Sequence, residues 1–278
     1  MFDRGIEIKT PAQIESMREA GLVVASTLEL LRTTVQAGMT TAELNALAHD
    51  HIRAQGATSN FLGYGAHSAS GVGGFAGVIC TSVNDEVVHG IPGTRTLHDG
   101  DIISIDCGAI IDGWHGDAAI TVAIGDVPDE VTELMRVTEQ SLWDGIAAAR
   151  LGGRVSDISH AVESSVRAQG DYGIVEGFTG HGIGSAMHQP PNVPNVGRPG
   201  RGAKLVKGLA LAVEPMITLA TPNTRTLADD WTVVTTDGSW AAHYEHTFTL
   251  TDSGAWVLTA IDGGKARLEA LGVPYGGH

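Results

Sequence analysis

The chain has 278 residues, with 17 Lys or Arg against 32 Asp or Glu, and therefore carries a formal net charge of −15. This balance argues against a general nucleic-acid binder, whose affinity requires clustered basic side chains. With 42% hydrophobic residues and 37 glycines, the composition predicts a packed core rather than disorder, and a backbone with many tight turns.

Capping-box patterns predict two helices at the start of the chain, from Thr10 to about Val35 and from Ala42 to Gln55. In each pattern a Thr precedes the first turn and a Gln or Glu follows three residues later, so that the two residues can satisfy each other's backbone N–H groups. Gly56 is expected to stop the second helix. The apolar stripe of this helix requires a sheet or another helix to cover it.

The end of the second helix recurs later in the chain. Ile52–Gly56 and Val166–Gly170 share the sequence Arg-Ala-Gln-Gly, at an offset of 114 residues. The similarity can arise by chance in helices of this composition, or it can mark an internal duplication. The second interpretation predicts two halves, roughly residues 10–125 and 126–260, related by a pseudo-twofold axis with a site between them.

Runs rich in β-forming residues separate the helical segments and predict six strands: Gly77–Ser82, Asp101–Ile111, Trp114–Ile124, Leu209–Leu219, Trp231–Thr236 and His243–Leu250. The Asp112-Gly113 pair predicts a two-residue hairpin. Gly, Pro and Asn cluster between Gln189 and Gly202, where we expect a long loop. No low-complexity linker divides the chain, so the sequence predicts one α+β domain over residues 1–278.

The predicted hairpin brings two acidic residues together. With Asp112-Gly113 as its loop, Gly108 lies opposite Asp117, and Asp106 becomes a diagonal neighbour of Asp117 on one face of the sheet. Two carboxylates so placed repel each other, whereas a divalent cation between them would reverse the sign of the interaction. The alternative is that both residues are ordinary polar caps beside turns. Asp106 ends an apolar run, however, and burying an unpaired charge is costly.

Further candidate ligands occur in the second half of the chain. Glu214 ends an apolar strand, Glu245 lies within another strand, and His181 lies in a glycine-rich turn, whereas His243 and His246 are expected at a strand surface. One imidazole and four carboxylates form a hard, oxygen-rich set that suits Mn, Fe(II), Co or Mg better than a structural zinc. Four carboxylates can also hold two ions with a shared water.

At this point the sequence resembles the type I methionine aminopeptidases, which belong to the wider creatinase-like, pita-bread metallopeptidases. The resemblance extends from about residue 5 to 260 and implies two α/β halves around a curved antiparallel sheet, with helices on the outer face. The segments that carry it are Ile8–Arg18, Ser82–Pro92, Asp99–Asp106, Gly113–Asp117, Gly180–Gly184, Glu214–Ile217 and Tyr244–Thr247.

The resemblance implies a dinuclear metal centre. Its ligands would be Asp106, Asp117, His181, Glu214 and Glu245, with Asp117 and Glu245 bridging two divalent ions of Mn, Fe(II), Co or Zn. Glu214 would also carry a proton for the attacking water.

The resemblance also implies how substrate is held. His89 and His188 would contact the substrate amide, with His188 polarising its carbonyl. The methionine pocket would comprise Phe61, Tyr64, Phe75, Cys80, Met187 and Trp231. Phe61, Met187 and Gln189 depart from the residues usual in the family, and Gly65 to Gly74 is an extra stretch. That stretch can be a lid or tolerated surface, of which we favour surface. The departures suggest a tighter pocket or an altered preference as a hypothesis.

The implied activity is removal of the initiator methionine from peptides and nascent proteins, with a small second residue preferred, through a metal-activated water. The alternatives are a proline-directed peptidase and a catalytically silent binding protein on the same fold. The implied partners are peptide N-termini and the ribosome surface, and we expect a monomer.

The sequence favours a cytoplasmic location. Cys80 and Cys107 are too few for a disulfide framework, and the N-terminus has no apolar signal segment. The longest uncharged run, 54–84, contains seven glycines and several polar residues, so we expect no membrane partner.

Overall fold

The structure is a computed structural model, and it describes residues 5–66 and 73–278. The described residues form five helices: α1 Pro11–Thr34, α2 Thr41–Ala54, α3 Asp129–Ala148, α4 Val155–Arg167 and α5 Lys265–Ala270. None of these helices is long and apolar enough to cross a membrane. Of the predicted extra stretch Gly65 to Gly74, residues 67–72 lie outside the described part of the chain.

The strands are short apart from one long hairpin. They are β1 Thr58–Ser59, β2 Ile79–Val83, β3 Glu86–Val88, β4 Ile102–Ile111, β5 Trp114–Ala123, β6 Gly173–Ile174, β7 Gly180–Gly182, β8 Gln189–Val193, β9 Ala210–Val213, β10 Met216–Thr218, β11 Thr224–Thr226, β12 Val233–Thr235, β13 Ala241–His243, β14 Glu245–Leu250 and β15 Ala255–Val257.

Nine strands form one antiparallel sheet with the order β1-β4-β5-β14-β9-β7-β8, in which β2 also pairs with β4 and β15 with β14. Two three-stranded sheets, β13-β10-β6 and β11-β12-β3, accompany it. Helix α1 packs on β4 and β5, and α3 packs along α4. The predicted α+β class is therefore confirmed.

Local signals placed the first helices and the hairpin correctly. Both capping boxes are present: the Thr10 backbone N–H donates to the Gln13 side chain at 2.8 Å, and that of Thr40 donates to Glu43 at 2.7 Å. The loop of the β4–β5 hairpin is Asp112-Gly113, with φ of 49° and 81°. These left-handed values are those of a two-residue hairpin turn. Gly108 pairs with Asp117, so the predicted register is confirmed.

Several predicted strand boundaries are wrong. The run Leu209–Leu219 is two strands, β9 and β10, which belong to different sheets. The interruption falls at Glu214-Pro215, where proline has no N–H to donate to a ladder. The run His243–Leu250 likewise breaks at Tyr244, between β13 and β14, and the predicted loop Gln189–Gly202 begins with strand β8.

The helix positions support the predicted duplication, which stays a prediction. Helices α1 and α3 end at Thr34 and Ala148, and α2 and α4 begin at Thr41 and Val155, so both pairs are 114 residues apart. Each helix pair also covers its own apolar core. In one core Leu28, Leu44 and Ile52 of α1 and α2 pack with Ile103 and Ile105 of β4, and in the other Leu142, Ile146 and Ile158 of α3 and α4 pack with Val213 and Phe248 of the sheet.

A lysine is buried in the segment that precedes α1. The side chain of Lys9 is 1% exposed, and its Nζ lies 3.8 Å from Glu7 Oε2 and donates to the Glu7 main-chain oxygen at 3.2 Å. Burial lowers the pKa of Lys9 to about 8, although the Glu7 carboxylate opposes the shift.

We expect Lys9 to make the free energy of unfolding rise with pH between about pH 8 and 10.5. In that interval the unfolded chain holds a proton on Lys9 that the folded chain has lost, which gives a positive slope of up to about 1.4 kcal/mol per pH unit. Guanidinium unfolding of the wild type and Lys9→Met at pH 8, 9 and 10 measures the difference. Lys265→Met, in an exposed pair with Glu269, is the control and keeps the wild-type slope. Identical slopes in wild type and Lys9→Met would refute the depressed pKa.

Candidate metal centre

A pocket opens in the nine-stranded sheet where β4 and β5, from the first half of the chain, meet β14, β9 and β7 from the second half. It encloses about 560 Å³ of empty space, part of it open to solvent. Strands on both sides of the β5–β14 pair contribute side chains to it. Its lining residues are Phe61, Tyr64, Phe75, Cys80, Val88, His89, Asp106, Asp117, His181, Met187, His188, Glu214, Trp231 and Glu245.

The strand register aligns three acidic side chains on one face. Ala119 on β5 is the register partner of both Asp106 on β4 and Glu245 on β14, so these two acids flank the same position from opposite sides. Asp117 lies two residues before Ala119 and therefore shares its face. Asp106, Asp117 and Glu245 are 8%, 3% and 3% exposed, so the sheet collects three buried carboxylates at its centre.

The candidate ligands form two groups that share Glu245. Ligand atoms of Asp106, Asp117 and Glu245 all lie within 4.8 Å of one another, and so do those of His181, Glu214 and Glu245. The structure therefore brings together all five side chains that the sequence singled out. Sharing of one carboxylate between two groups is what a bridging ligand requires.

Burial and mutual repulsion disfavour the ionised carboxylates. Burial raises the pKa of Asp106 to about 7. Burial also raises the pKa of Asp117, Glu214 and Glu245 well above the usual range, and the negative charges of neighbouring acids raise each further. A cluster of this kind is costly unless cations neutralise it.

Unsatisfied oxygen atoms indicate where cations fit. Asp106 Oδ1, Asp117 Oδ1 and Glu245 Oε1 are buried and have no hydrogen-bond partner among the residues that the structure describes. Buried polar atoms are ordinarily paired, so these oxygens match ligand positions. Oxygen ligands with one imidazole suit hard or borderline divalent ions, and the donor set fits the predicted pair of ions.

His181 lies in a strand, which corrects the predicted glycine turn. It is the middle residue of β7, and its Nδ1 lies 3.0 Å from the Gly182 carbonyl oxygen while its Nε2 lies 3.5 Å from Glu214 Oε1. A Cβ at Gly180 would come within 2.3 Å of the Ala212 oxygen. The flanking glycine is therefore needed for a close approach between strands, and the imidazole is left facing the acids.

Two further histidines lie beside the cluster. His188 is at the mouth of the pocket, where its Nδ1 lies 2.6 Å from the Tyr64 hydroxyl and its ring packs 4.3 Å from that of His181. His89 has a left-handed backbone, with φ of 62°, and its ring contacts the rings of Phe178 and Trp231 edge-on. Burial lowers the pKa of both imidazoles, that of His89 to about 4, and therefore favours the neutral ring in each.

The remaining wall of the pocket is apolar. Phe61, Phe75, Cys80 and Met187 are buried and form one cluster, against which Trp231 packs. The rings of Phe61 and Phe75 meet edge-on with centroids 6.4 Å apart. The apolar side chains leave room for a flexible uncharged side chain next to the carboxylates.

Two features of the site were not anticipated. Val88 lines the pocket. Its position next to the predicted site residue His89 is the one feature of the sequence that could have indicated this. His243 is 1% exposed rather than at a strand surface, because β13 lies in a small sheet whose face is covered. Its Nε2 lies 3.9 Å from Glu245 Oε2.

Comparison with known proteins gives one consistent result. Residues 15–252 match the sequence model of metallopeptidase family M24. The methionine aminopeptidase of Clostridium acetobutylicum is 50% identical over 258 residues, which cover 92% of this chain and 100% of that protein.

Solved structures show the same architecture. A methionine aminopeptidase from Thermotoga maritima superposes with a TM-score of 0.87 at 38% identity, covering 92% of this chain and 99% of that one. An Xaa-Pro dipeptidase from Bacillus anthracis superposes with a TM-score of 0.70 at 22% identity, covering 91% of this chain and 61% of that one, and this likeness concerns the fold alone. The fold is the predicted pita-bread arrangement, a curved antiparallel sheet with helices.

Proposed function

The chain belongs to metallopeptidase family M24, and from that premise we propose that it hydrolyses the N-terminal methionine from peptides and nascent proteins. The observation that carries the proposal is the convergence of four carboxylates and one imidazole beside a pocket with an apolar wall. The relatives at 38–50% identity that bear the name methionine aminopeptidase support the same substrate.

Two divalent ions would be held by Asp106, Asp117, His181, Glu214 and Glu245, with Mn, Fe(II), Co and Zn as the candidates. Bound there, divalent ions supply positive charge that lowers the pKa of water towards neutrality and offsets negative charge in the transition state. The two ligand groups support the two-ion stoichiometry because each contains at least three donors and Glu245 is common to both.

We propose Glu214 as the residue that moves a proton. Its side chain is 12% exposed and faces the pocket, which makes it more accessible to an incoming water than Asp117 or Glu245. A carboxylate within reach of the attacking water can accept its proton and release it again. We propose that it takes a proton from the attacking water and passes it to the leaving amine.

We propose that His188 polarises the scissile carbonyl. The Tyr64 hydroxyl can donate to Nδ1 at 2.6 Å, which leaves the proton of the neutral ring on Nε2. An N–H donor of this kind can stabilise an oxyanion as it develops. His89 is likewise neutral and lines the pocket, where we propose that it contacts the substrate amide.

The apolar wall is the proposed methionine pocket. Phe61, Phe75, Cys80, Met187 and Trp231 form one cluster, and a flexible thioether packs favourably against aromatic edges. Tyr64, at the mouth of the pocket, completes the proposed set. The acidic cluster favours a cationic α-amino group at the inner end of the substrate.

A preference for a small second residue is proposed from the resemblance to the family, as is docking at the ribosome surface. We also propose a cytoplasmic monomer. The two cysteines, which are buried and unpaired, fit a reducing compartment.

Release of methionine from Met-Ala-Ser should require divalent metal. We expect the activity to vanish after dialysis against a chelator and to return when Mn or Co is added, since the ions supply several kcal/mol of transition-state stabilisation. Chromatography of free methionine measures the release. Ala-Pro-Ser and Met-Glu-Ser serve as comparison substrates, of which the first should be inert and the second slow. Metal-independent release, or faster cleavage of the proline peptide, would contradict the proposal.

A further inference from the structure

The N-terminal arm, residues Gly5–Lys9, contacts the segment that carries His188. Glu7 Oε2 accepts a hydrogen bond from the Ser185 main-chain N–H at 3.0 Å. The Gln189 side chain in turn donates from its Nε2 to Ser185 Oγ at 3.2 Å. The carboxylate of the arm is thus bonded to the beginning of Gly184–Gln189, which we name the His188 segment, and the Ser185–Gln189 bond joins the two ends of that segment.

The contact leaves no space for a side chain at Gly184 unless the ends of the Glu7 and Lys9 side chains move. A Cβ at this position would lie 2.1 Å from Glu7 Oε2 and 2.8 Å from Lys9 Nζ. Lys9 is itself anchored, because its N–H donates to the Gly208 oxygen at 2.8 Å and its side chain is buried against Glu7. The arm is therefore packed against the His188 segment and is itself held in place by the hydrogen bond from Lys9 to Gly208.

Two contacts that do not involve the arm also hold the His188 segment. The His115 N–H donates to the Gly184 oxygen at 3.0 Å, and the Tyr64 hydroxyl meets His188 Nδ1 at 2.6 Å. Between these attachments and the arm, the segment presents Met187 and His188 to the pocket. Glu7 and Lys9 do not line the pocket, so any effect on substrate must pass through the segment.

We propose that Glu7 and Lys9 are positioning residues that fix the His188 segment in its working conformation. This inference rests on the proposed function, since it assigns the arm to the same site. The ion pair between the buried Lys9 and the partly exposed Glu7 contributes little net stability, because desolvation of the lysine offsets most of the attraction. A misplacement of about 1 Å at a catalytic group can lower the rate about 100-fold. We therefore expect the pair to affect the rate, through the position of His188, more than it affects stability.

A double-mutant cycle separates positioning from simple structural support. We expect Glu7→Ala to lower kcat for Met-Ala-Ser about tenfold with metal content unchanged, and Glu7→Gln, which keeps an acceptor oxygen, to lower it less. In a His188→Ala background, Glu7→Ala should change kcat by less than about twofold, because the group it positions is gone. A tenfold loss in both backgrounds would overturn the proposal.

Hydrogen exchange tests the same contact without activity. In the metal-loaded protein, Glu7→Ala and Lys9→Met should speed amide exchange within residues 184–189, whereas the exposed control Glu269→Ala should not. Failure of the wild type to release methionine would sink the proposed function but leave this readout valid. If Glu7→Ala does not fold, Lys9→Met and Glu7→Gln provide the comparison. Unchanged exchange in the folded variants would overturn the positioning role.

Discussion

Asp106→Asn and Glu245→Ala should each lose bound metal and lower kcat/KM by more than about 1,000-fold. Each substitution removes a negative charge from a cluster whose pKa values are raised by burial and by mutual repulsion. Without full ligation the ions cannot supply several kcal/mol of transition-state stabilisation, and each 1.4 kcal/mol is worth tenfold in rate. Elemental analysis after dialysis and turnover of Met-Ala-Ser measure the two losses.

Stability distinguishes a lost ligand from a misfolded protein. In chelator at pH 8, Asp106→Asn should unfold at the same temperature as the wild type or higher, because the substitution removes a buried charge that also repels the neighbouring carboxylates. Added Mn should stabilise the wild type alone, since only a bound ligand shifts the unfolding equilibrium. Asp112→Asn is the matched control: it lies at the exposed tip of the same hairpin, where Asn also tolerates the left-handed backbone. Full metal content in Asp106→Asn and Glu245→Ala would refute the ligand assignment.

His188→Ala should keep its metal but lower kcat about 100- to 1,000-fold, with little change in KM. The loss corresponds to removal of one hydrogen-bond donor from a developing oxyanion. His188→Gln retains an N–H donor and should lose less. The exposed His49→Ala is the control and should behave as wild type.

Metal content decides between two roles for His188. Its ligand atom also lies within 4.8 Å of those of Asp117 and His181, which is close enough for coordination. A fall in bound metal in His188→Ala would therefore place this residue among the ligands and contradict a purely substrate-directed role.

Local patterns predicted a large part of the fold. The capping boxes at Thr10 and Thr40 and the Asp112-Gly113 turn depend on residues close in sequence, and each formed as expected. The hairpin turn fixed the register and so placed Asp106 diagonally from Asp117 before any tertiary contact was known. The run Leu209–Leu219 was predicted as one strand because apolar residues lie on both sides of Glu214-Pro215, although Glu214 itself was expected at the end of an apolar strand.

The site, unlike the local elements, was predicted mainly from the resemblance to a family. Spacing in the sequence proposed Asp106 and Asp117 as neighbours, but it could not place Glu214 or Glu245 beside them. The resemblance to a family grouped these residues, and the pairing of β14 with both β5 and β9 shows how the chain brings them together.

The sequence by itself determined which short segments fold and which carboxylate pair one hairpin presents, because those outcomes depend on backbone preferences and hydrogen bonds within a few residues. Only the tertiary structure decided that His181 faces the acids from inside a strand, that His243 is buried, and that Glu7 reaches Ser185. Contacts between residues far apart in the sequence depend on how sheets pair and pack, and local propensities do not encode that pairing.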